Sequence, residues 1–348
     1  MVRSYYSVAE HLFAVECSDS ALLPCMTNYE PFREPTPNPS LKGRELDEEI
    51  FTLRVEGHEA KGERRKARCE EWTHVLTDNA EEDMPRIEVY RSSLEDGAVR
   101  LQDASLQFRG GEWLFRVAMV ANAPICCEME CSEDFTQGVL HIAADCQDVR
   151  FCIDNALMLL FAFRTAPLMT LEMHAAVVVR GSLEDGAVRL QDASLQDALT
   201  GYREEAKGYL FLGHSGTGKS THARQWLAAF DDAWLLNDDN PILRVMEDGE
   251  VRVYGSPWSG KTPCYKNAYA RVGGIIKLSQ APHNKMRILS LPEAYAYILS
   301  SASGLKMDRQ MADYMYESIK HVITHVKCYH LDCLPNTEAA EVAQRGME

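Results

Sequence analysis

The chain has 348 residues, about two domains at roughly 150 residues each. Hydrophobic residues make up 46% and charged residues 25%, the balance of a folded globular protein rather than a disordered one. Its 36 Lys plus Arg against 52 Asp plus Glu give a formal charge of −16, which argues against a general binder of nucleic acid or anionic membrane.

No secretory leader is read at the start, because Met1–Ser20 carries Arg3, Glu10, His11 and Glu16 within its apolar residues. The 11 cysteines are scattered without the spacing of a secreted disulfide framework, so a reducing, cytoplasmic setting is expected. The longest apolar run, Ala156–Phe163, is far shorter than the roughly 20 residues of a membrane helix, so no membrane partner is expected.

Residues 1 to about 85 carry few clear signals. Pro31, Pro35, Pro37 and Pro39 mark an extended loop over Glu30–Ser40. A basic run from Gly62 to Arg68 reads as a solvated face. Trp113–Ala121 and Gly138–Ala144 read as strands, being short, rich in apolar and β-branched residues and bounded by Gly, Asn or Asp. Val149–Thr165 is too long and too densely apolar for a strand and reads as a buried helix that ends before Pro167.

Leu171–Arg180 and Gly208–Leu212 read as further strands. Between them lies a segment holding SLEDGAVRLQDASLQ, Ser182–Gln196, which repeats Ser93–Gln107 residue for residue. Neither flank repeats, so the pair signals a recent duplication or an error in the gene rather than a repeat fold, and 182–206 is expected to be a loop insertion. Ala294–Leu299 and Met311–Val326 read as helices, Cys328–Cys333 as a strand, and a final helix is expected from Glu338. The division is placed near 166: an α+β domain of unknown role over 1–165, then a mixed α/β domain over 166–348 that holds the recognisable chemistry.

Gly213-His214-Ser215-Gly216-Thr217-Gly218-Lys219-Ser220 fits the phosphate-binding pattern G-x-x-x-x-G-K-[ST], between an apolar strand and a helical pattern from Thr221. Glycines let successive backbone N–H groups curl toward a phosphate, and the helix N-terminus adds partial positive charge. Lys219 suits the β- and γ-phosphates, and the Ser220 hydroxyl suits Mg²⁺. Downstream, the apolar run Trp234–Asn237 ends in Asp238 and Asp239. A carboxylate pair at a strand end can divide two tasks, one holding a metal and one accepting the proton of an attacking hydroxyl. A third element, Gly255-Ser256-Pro257-Trp258-Ser259-Gly260-Lys261, follows a hairpin-like stretch, with Lys261 suited to neutralising a transferring phosphoryl group and Lys266 or Arg271 as substitutes.

These runs, HAAVVVR, GYLFLGHSGTGKSTHARQWL, LLNDDNPIL and GSPWSGK, resemble the kinase domain of the HPr kinase/phosphorylase group. More widely they resemble the fold shared with ATP-dependent phosphoenolpyruvate carboxykinase. The nearest likeness is to bacterial HPr kinase-like proteins, in which Gly-x-Pro-Trp-Ser-Gly-Lys follows the paired Asp, and it covers about Leu171–Pro335. The resemblance implies a P-loop kinase domain in which Ser215, Gly216, Gly218, Lys219, Ser220, Asp238 and Asp239 occupy the family positions, with ATP and Mg²⁺ as cofactors.

The expected activity is an ATP-dependent phosphotransferase. Gly213–Thr221 would bind nucleotide, Ser220, Asp238 and Asp239 would hold metal, and Lys219, Asp238, Asp239 and Lys261 would carry catalysis. The acceptor stays open among a protein serine, a peptide and a small molecule, and a homo-oligomer stays open as well. The competing readings are a nucleotide-binding sensor or scaffold with little turnover and, more distantly, a carboxykinase-type lyase. Cys126, Cys127 and Cys131, and separately Cys328 and Cys333, lack matched C-x-x-C pairs and read as buried structural thiols.

Overall fold

A computed structural model describes residues 1–35, 49–56, 74–75, 86–91, 112–120, 123–181, 206–260 and 262–348. Both copies of the fifteen-residue repeat, the insertion over 182–205, the basic run and Lys261 lie outside the described residues. The rest form two compact units, Met1–Arg164 and Thr165–Glu348. Both are mixed α/β, each built on a mixed sheet.

In the first unit nine strands contribute: β1 (Val2–Val8), β2 (His11–Cys17), β3 (Arg33–Glu34), β4 (Thr52–Glu56), β5 (His74–Val75), β6 (Arg86–Arg91), β7 (Glu112–Ala118), β8 (Ile125–Ser132) and β9 (Gln137–Ile142). They lie in the order β3-β1-β2-β4-β9-β8-β7-β6-β5. β4 runs parallel to β2 and β9, while the other pairs are antiparallel. Alternation sorts the side chains to two faces.

One face packs under helix α1 (Val149–Thr165). Phe161 lies 6.4 Å from Phe13 and Phe163 5.5 Å from Phe115, ring centre to ring centre. The approach is close enough that a Cβ on Gly138 would stand 2.7 Å from Leu160, so only glycine fits without displacing the helix side chain. The opposite face carries cross-strand ion pairs, Arg116 with Glu128 at 2.9 Å and Arg54 with Glu16 at 3.5 Å. With the 3₁₀ turn that follows it, α1 is by length and composition apolar enough to cross a membrane over Val149–Leu168. Its Leu157, Leu160 and Phe161 are nevertheless buried in this unit, as a core helix requires.

The second unit starts with β10 (Thr170–Glu172) and β11 (Ala175–Arg180). The single strand expected over Leu171–Arg180 is therefore two. At the break, Met173 N–H keeps the register of the Thr170–Arg244 pairing by donating to the Pro241 carbonyl, but His174 N–H turns away to the Ser301 carbonyl. β10 pairs with β14 (Ile242–Val245), whereas β11 pairs with β12 (Lys207–Leu212) and β13 (Ala233–Asn237).

The remaining strands are β12 (Lys207–Leu212), β13 (Ala233–Asn237), β14 (Ile242–Val245), β15 (Val251–Tyr254), β16 (Tyr269–Gln280), β17 (Lys285–Ile288) and β18 (Cys328–Cys333). The order is β10-β14-β15-β16-β12-β11-β13, with β18 paired to both β16 and β17. The parallel pairs are β12 with β16 and β16 with β18. The helices are α2 (Lys219–Ala229), α3 (Leu291–Ser301), α4 (Arg309–His325) and α5 (Thr337–Met347).

Each central strand of this sheet is buried on both faces. Along β12, Leu210 and Leu212 join a core with Ile298 of α3 and Ile319 of α4. Tyr209 and Phe211 join another with Trp226 of α2 and Ala340 of α5. Double burial is why these strands read as continuous apolar runs rather than alternating ones. At the α2 side the Trp226 indole N–H donates to His222 Nε2 at 3.0 Å. Burial pushes that imidazole down to about 4, so it stays a neutral acceptor.

Candidate functional site

The Gly213–Ser220 loop joins β12 to α2, at the end of a strand fixed on both faces. Thr217 N–H donates to the His214 carbonyl at 3.1 Å, closing a tight turn in which Gly216 has φ +75°. Gly218, with φ +104°, precedes the helix, whose first bond runs from His222 N–H to the Gly218 carbonyl at 2.8 Å. These left-handed positions are glycine's because a side chain there would be strained. His214, Ser215 and Gly216 are exposed, and Ser220 and Thr221 are half-buried on the first turn of α2.

Lys219 differs from its neighbours. Only 7% of it is exposed. Its ammonium donates to the Gly213 carbonyl at 2.9 Å and stands 3.0 Å from His174 Nε2. That histidine sits in the break between β10 and β11, and its Nε2 also lies 3.3 Å from Asp239 Oδ1. One ring nitrogen thus faces the loop cation on one side and the carboxylate on the other. With the ring proton on Nδ1 this nitrogen accepts from Lys219; with the proton on Nε2 it donates toward Asp239.

The paired carboxylates are held by Asn237, the last residue of β13. Its side-chain oxygen accepts from the backbone N–H groups of Asp239 at 2.9 Å and Asn240 at 2.8 Å. Its amide donates to Ser256 Oγ at 3.1 Å and to the Trp258 carbonyl at 2.9 Å. Ser256 in turn donates to the Asn240 carbonyl at 2.6 Å. This closed set locks Gly255–Trp258 against the Asp pair. Gly255 has no alternative residue, because a Cβ there would stand 2.0 Å from the Lys266 carbonyl oxygen. Asp238 is buried, whereas Asp239 is half-exposed and accepts from Asn240 through its second oxygen at 3.2 Å.

Two expected substitutes for Lys261 are engaged elsewhere. Lys266 donates to the Leu235 carbonyl at 2.6 Å and lies over the Trp234 ring. Arg271 pairs with Glu250. Both serve strand packing, and Lys261 itself is outside the described residues.

Three residues of the site were not singled out from sequence. His174 is one. Gln280, at the end of β16, donates to the Gly216 carbonyl at 3.2 Å and with Ser279 lines an open cleft beside Ser215 and Thr217. Glu172, two positions before His174, is fully buried, and neither carboxylate oxygen makes a hydrogen bond among the described residues. Burial, then the charge of Asp239, pushes its carboxyl up to about 8, so it is mainly protonated at neutral pH. A Glu inside the apolar run TLEMH was the available sequence signal.

The donor set fits a nucleotide with Mg²⁺. A curled backbone, a buried ammonium and a helix N-terminus suit phosphate oxygens. Mg²⁺ at such sites takes one or two protein oxygens, with phosphates and water completing the shell, so Ser220 and one of the two aspartates suffice. Comparison with family models and with curated proteins gave no match.

Proposed function

We propose that the chain is an ATP-dependent phosphotransferase with a P-loop kinase fold, similar to the HPr kinase group. The acceptor is a hydroxyl of a protein serine, a peptide or a small molecule. The observation that carries the reading is the convergence of Lys219 and Asp239 on one His174 nitrogen, at 3.0 and 3.3 Å. A phosphate-binding loop with no chemical partner has no need of a carboxylate held beside its lysine.

In this reading the backbone N–H groups of Gly213–Thr221 bind the phosphates, and the Lys219 ammonium leaves the Gly213 carbonyl to neutralise them. Ser220 and Asp238 would hold Mg²⁺, which would supply charge neutralisation when bound. Asp239 is the base because it is the accessible carboxylate. It takes the acceptor's hydroxyl proton as the new oxygen–phosphorus bond forms and the bond to the leaving diphosphate breaks. With its proton on Nε2, His174 donates to Asp239 and holds that carboxylate in position. The described cysteines are all free thiols, which supports a cytoplasmic setting.

Lys219→Ala is expected to lower ATP affinity or turnover by about 10²-fold or more. Asp239→Asn is expected to keep ATP binding and lose phosphoryl transfer. The measurement is ATP titration alongside release of labelled γ-phosphate with Mg²⁺. Unchanged ATP affinity and turnover in Lys219→Ala would overturn the nucleotide site. Equal phosphate release by wild type and Asp239→Asn would favour a sensor without a base.

A further inference from the structure

The first unit brings together cysteines that no short motif links. The sulfurs of Cys126, Cys146 and Cys152 all lie within 4.8 Å of one another. The Cys146 and Cys152 sulfurs are 3.5 Å apart.

Three pieces of backbone build this cluster. The register between β7 and β8 shifts between Val117 and Ala118, so that Val117 faces Cys127 and Ala118 faces Ile125, leaving Cys126 as the extra residue of a β-bulge. Strict alternation would bury only one of two adjacent residues, yet both Cys126 and Cys127 are buried. The bulge re-aims Cys126. The turn after β9 is tied to the same place, since Ala143 N–H donates to the Cys126 carbonyl at 2.9 Å and Cys146 N–H to the Ala143 carbonyl at 3.0 Å. Cys152 enters from the first turn of α1, with its sulfur 3.7 Å from the Cys126 carbonyl oxygen.

We infer that Cys126, Cys146 and Cys152 form a binding site for a thiophilic metal ion, with tetrahedral Zn²⁺ on three sulfurs and a water in the fourth position as the fitting occupant. Sulfurs about 2.3 Å from a tetrahedral Zn²⁺ stand about 3.8 Å apart, close to the Cys146–Cys152 spacing. Buried packing cysteines need apolar neighbours, not one another, and have no reason to converge from a bulge, a turn and a helix start. Cys152 is fully buried and Cys146 half-buried, which gives the ion an entry side. Binding replaces each S–H bond by a metal–sulfur bond and releases the proton to water. The ion would then clamp α1 to β8 and to the turn after β9.

The test uses the full chain, reduced and stripped by chelator under argon, titrated with Co²⁺ and then Zn²⁺. One equivalent of Co²⁺ should produce thiolate-to-metal charge-transfer absorption and tetrahedral visible bands, both removed by Zn²⁺. Cys146→Ser and Cys152→Ser should weaken binding by about tenfold or more. Cys25→Ser, a half-buried thiol outside the cluster, should leave it unchanged. Thermal unfolding gives a second readout, with Zn²⁺ raising the midpoint of wild type but not of Cys146→Ser. Absent charge transfer in the reduced wild type, or equal Co²⁺ affinity in wild type and Cys146→Ser, would overturn the site. So would a Cys146–Cys152 disulfide in thiol-blocked material that still fails to bind Co²⁺ after reduction.

Discussion

The two sheets of this chain handle their faces in opposite ways. In the first unit one face lies under α1 and the other carries ion pairs such as Arg116 with Glu128. In the second, β11 and β12 are covered on both faces, and the polar groups are pushed to strand ends and breaks. A sheet covered on one side can place charge along its whole length. A sheet covered on both sides concentrates polar chemistry where strands stop, which is where Lys219, His174 and Asp239 meet.

The largest expected effect is on the covered faces. Phe161→Ala in the first unit and Trp226→Ala in the second should each cost about 3–5 kcal/mol. Trp226→Ala should also lower nucleotide affinity, because α2 carries the loop lysine, whereas Phe161→Ala should not. Denaturant unfolding with per-unit hydrogen exchange, together with ATP titration, checks both. Equal loss of nucleotide binding in the two variants would break the comparison between the units.

Glu172 tests what burial on both sides does to a stranded carboxyl. Below its ordinary value of 4.5 it is protonated in folded and unfolded chains alike and contributes nothing to pH dependence. Between there and about 8 the unfolded chain ionises while the folded one holds its proton, so stability falls as pH rises. The slope approaches about 1.4 kcal/mol per pH unit at most. Glu172→Gln, which keeps the shape without the charge, should flatten that slope in unfolding curves taken across the window. Parallel wild-type and variant curves would show that the carboxyl does not stay protonated.

The smallest effect is expected on the open face of the first sheet. Glu128→Ala removes a partly exposed pair with Arg116 and should cost under about 1 kcal/mol, less at high salt. A loss of several kcal/mol, insensitive to salt, would mean that this face is not the solvated one.

Several elements in both units were readable in advance. The helix over Val149–Thr165, the hairpin of β14 and β15 and the strand Cys328–Cys333 before α5 follow from local pattern. The first hairpin was not readable, since its turn uses Ala9 and Glu10 at φ 50° and 64° in place of the usual Gly or Asn. The break at His174 was hidden because there the backbone N–H turns to the carbonyl of Ser301, a residue far along the chain. β16, twelve residues that include Gly273 and Gly274, was obscured by glycines that local rules read as turn formers.

The composition, the Gly213–Ser220 loop and the Asp238–Asp239 strand end are properties of consecutive residues, so the sequence by itself determined them through backbone sterics and periodicity. His174 between Lys219 and Asp239, Glu172 without a hydrogen-bond partner among the described residues, and the sulfur cluster built on a bulge were decided by tertiary structure alone. Each depends on strand register and helix docking, which bring together residues far apart in the chain and leave no mark in local spacing.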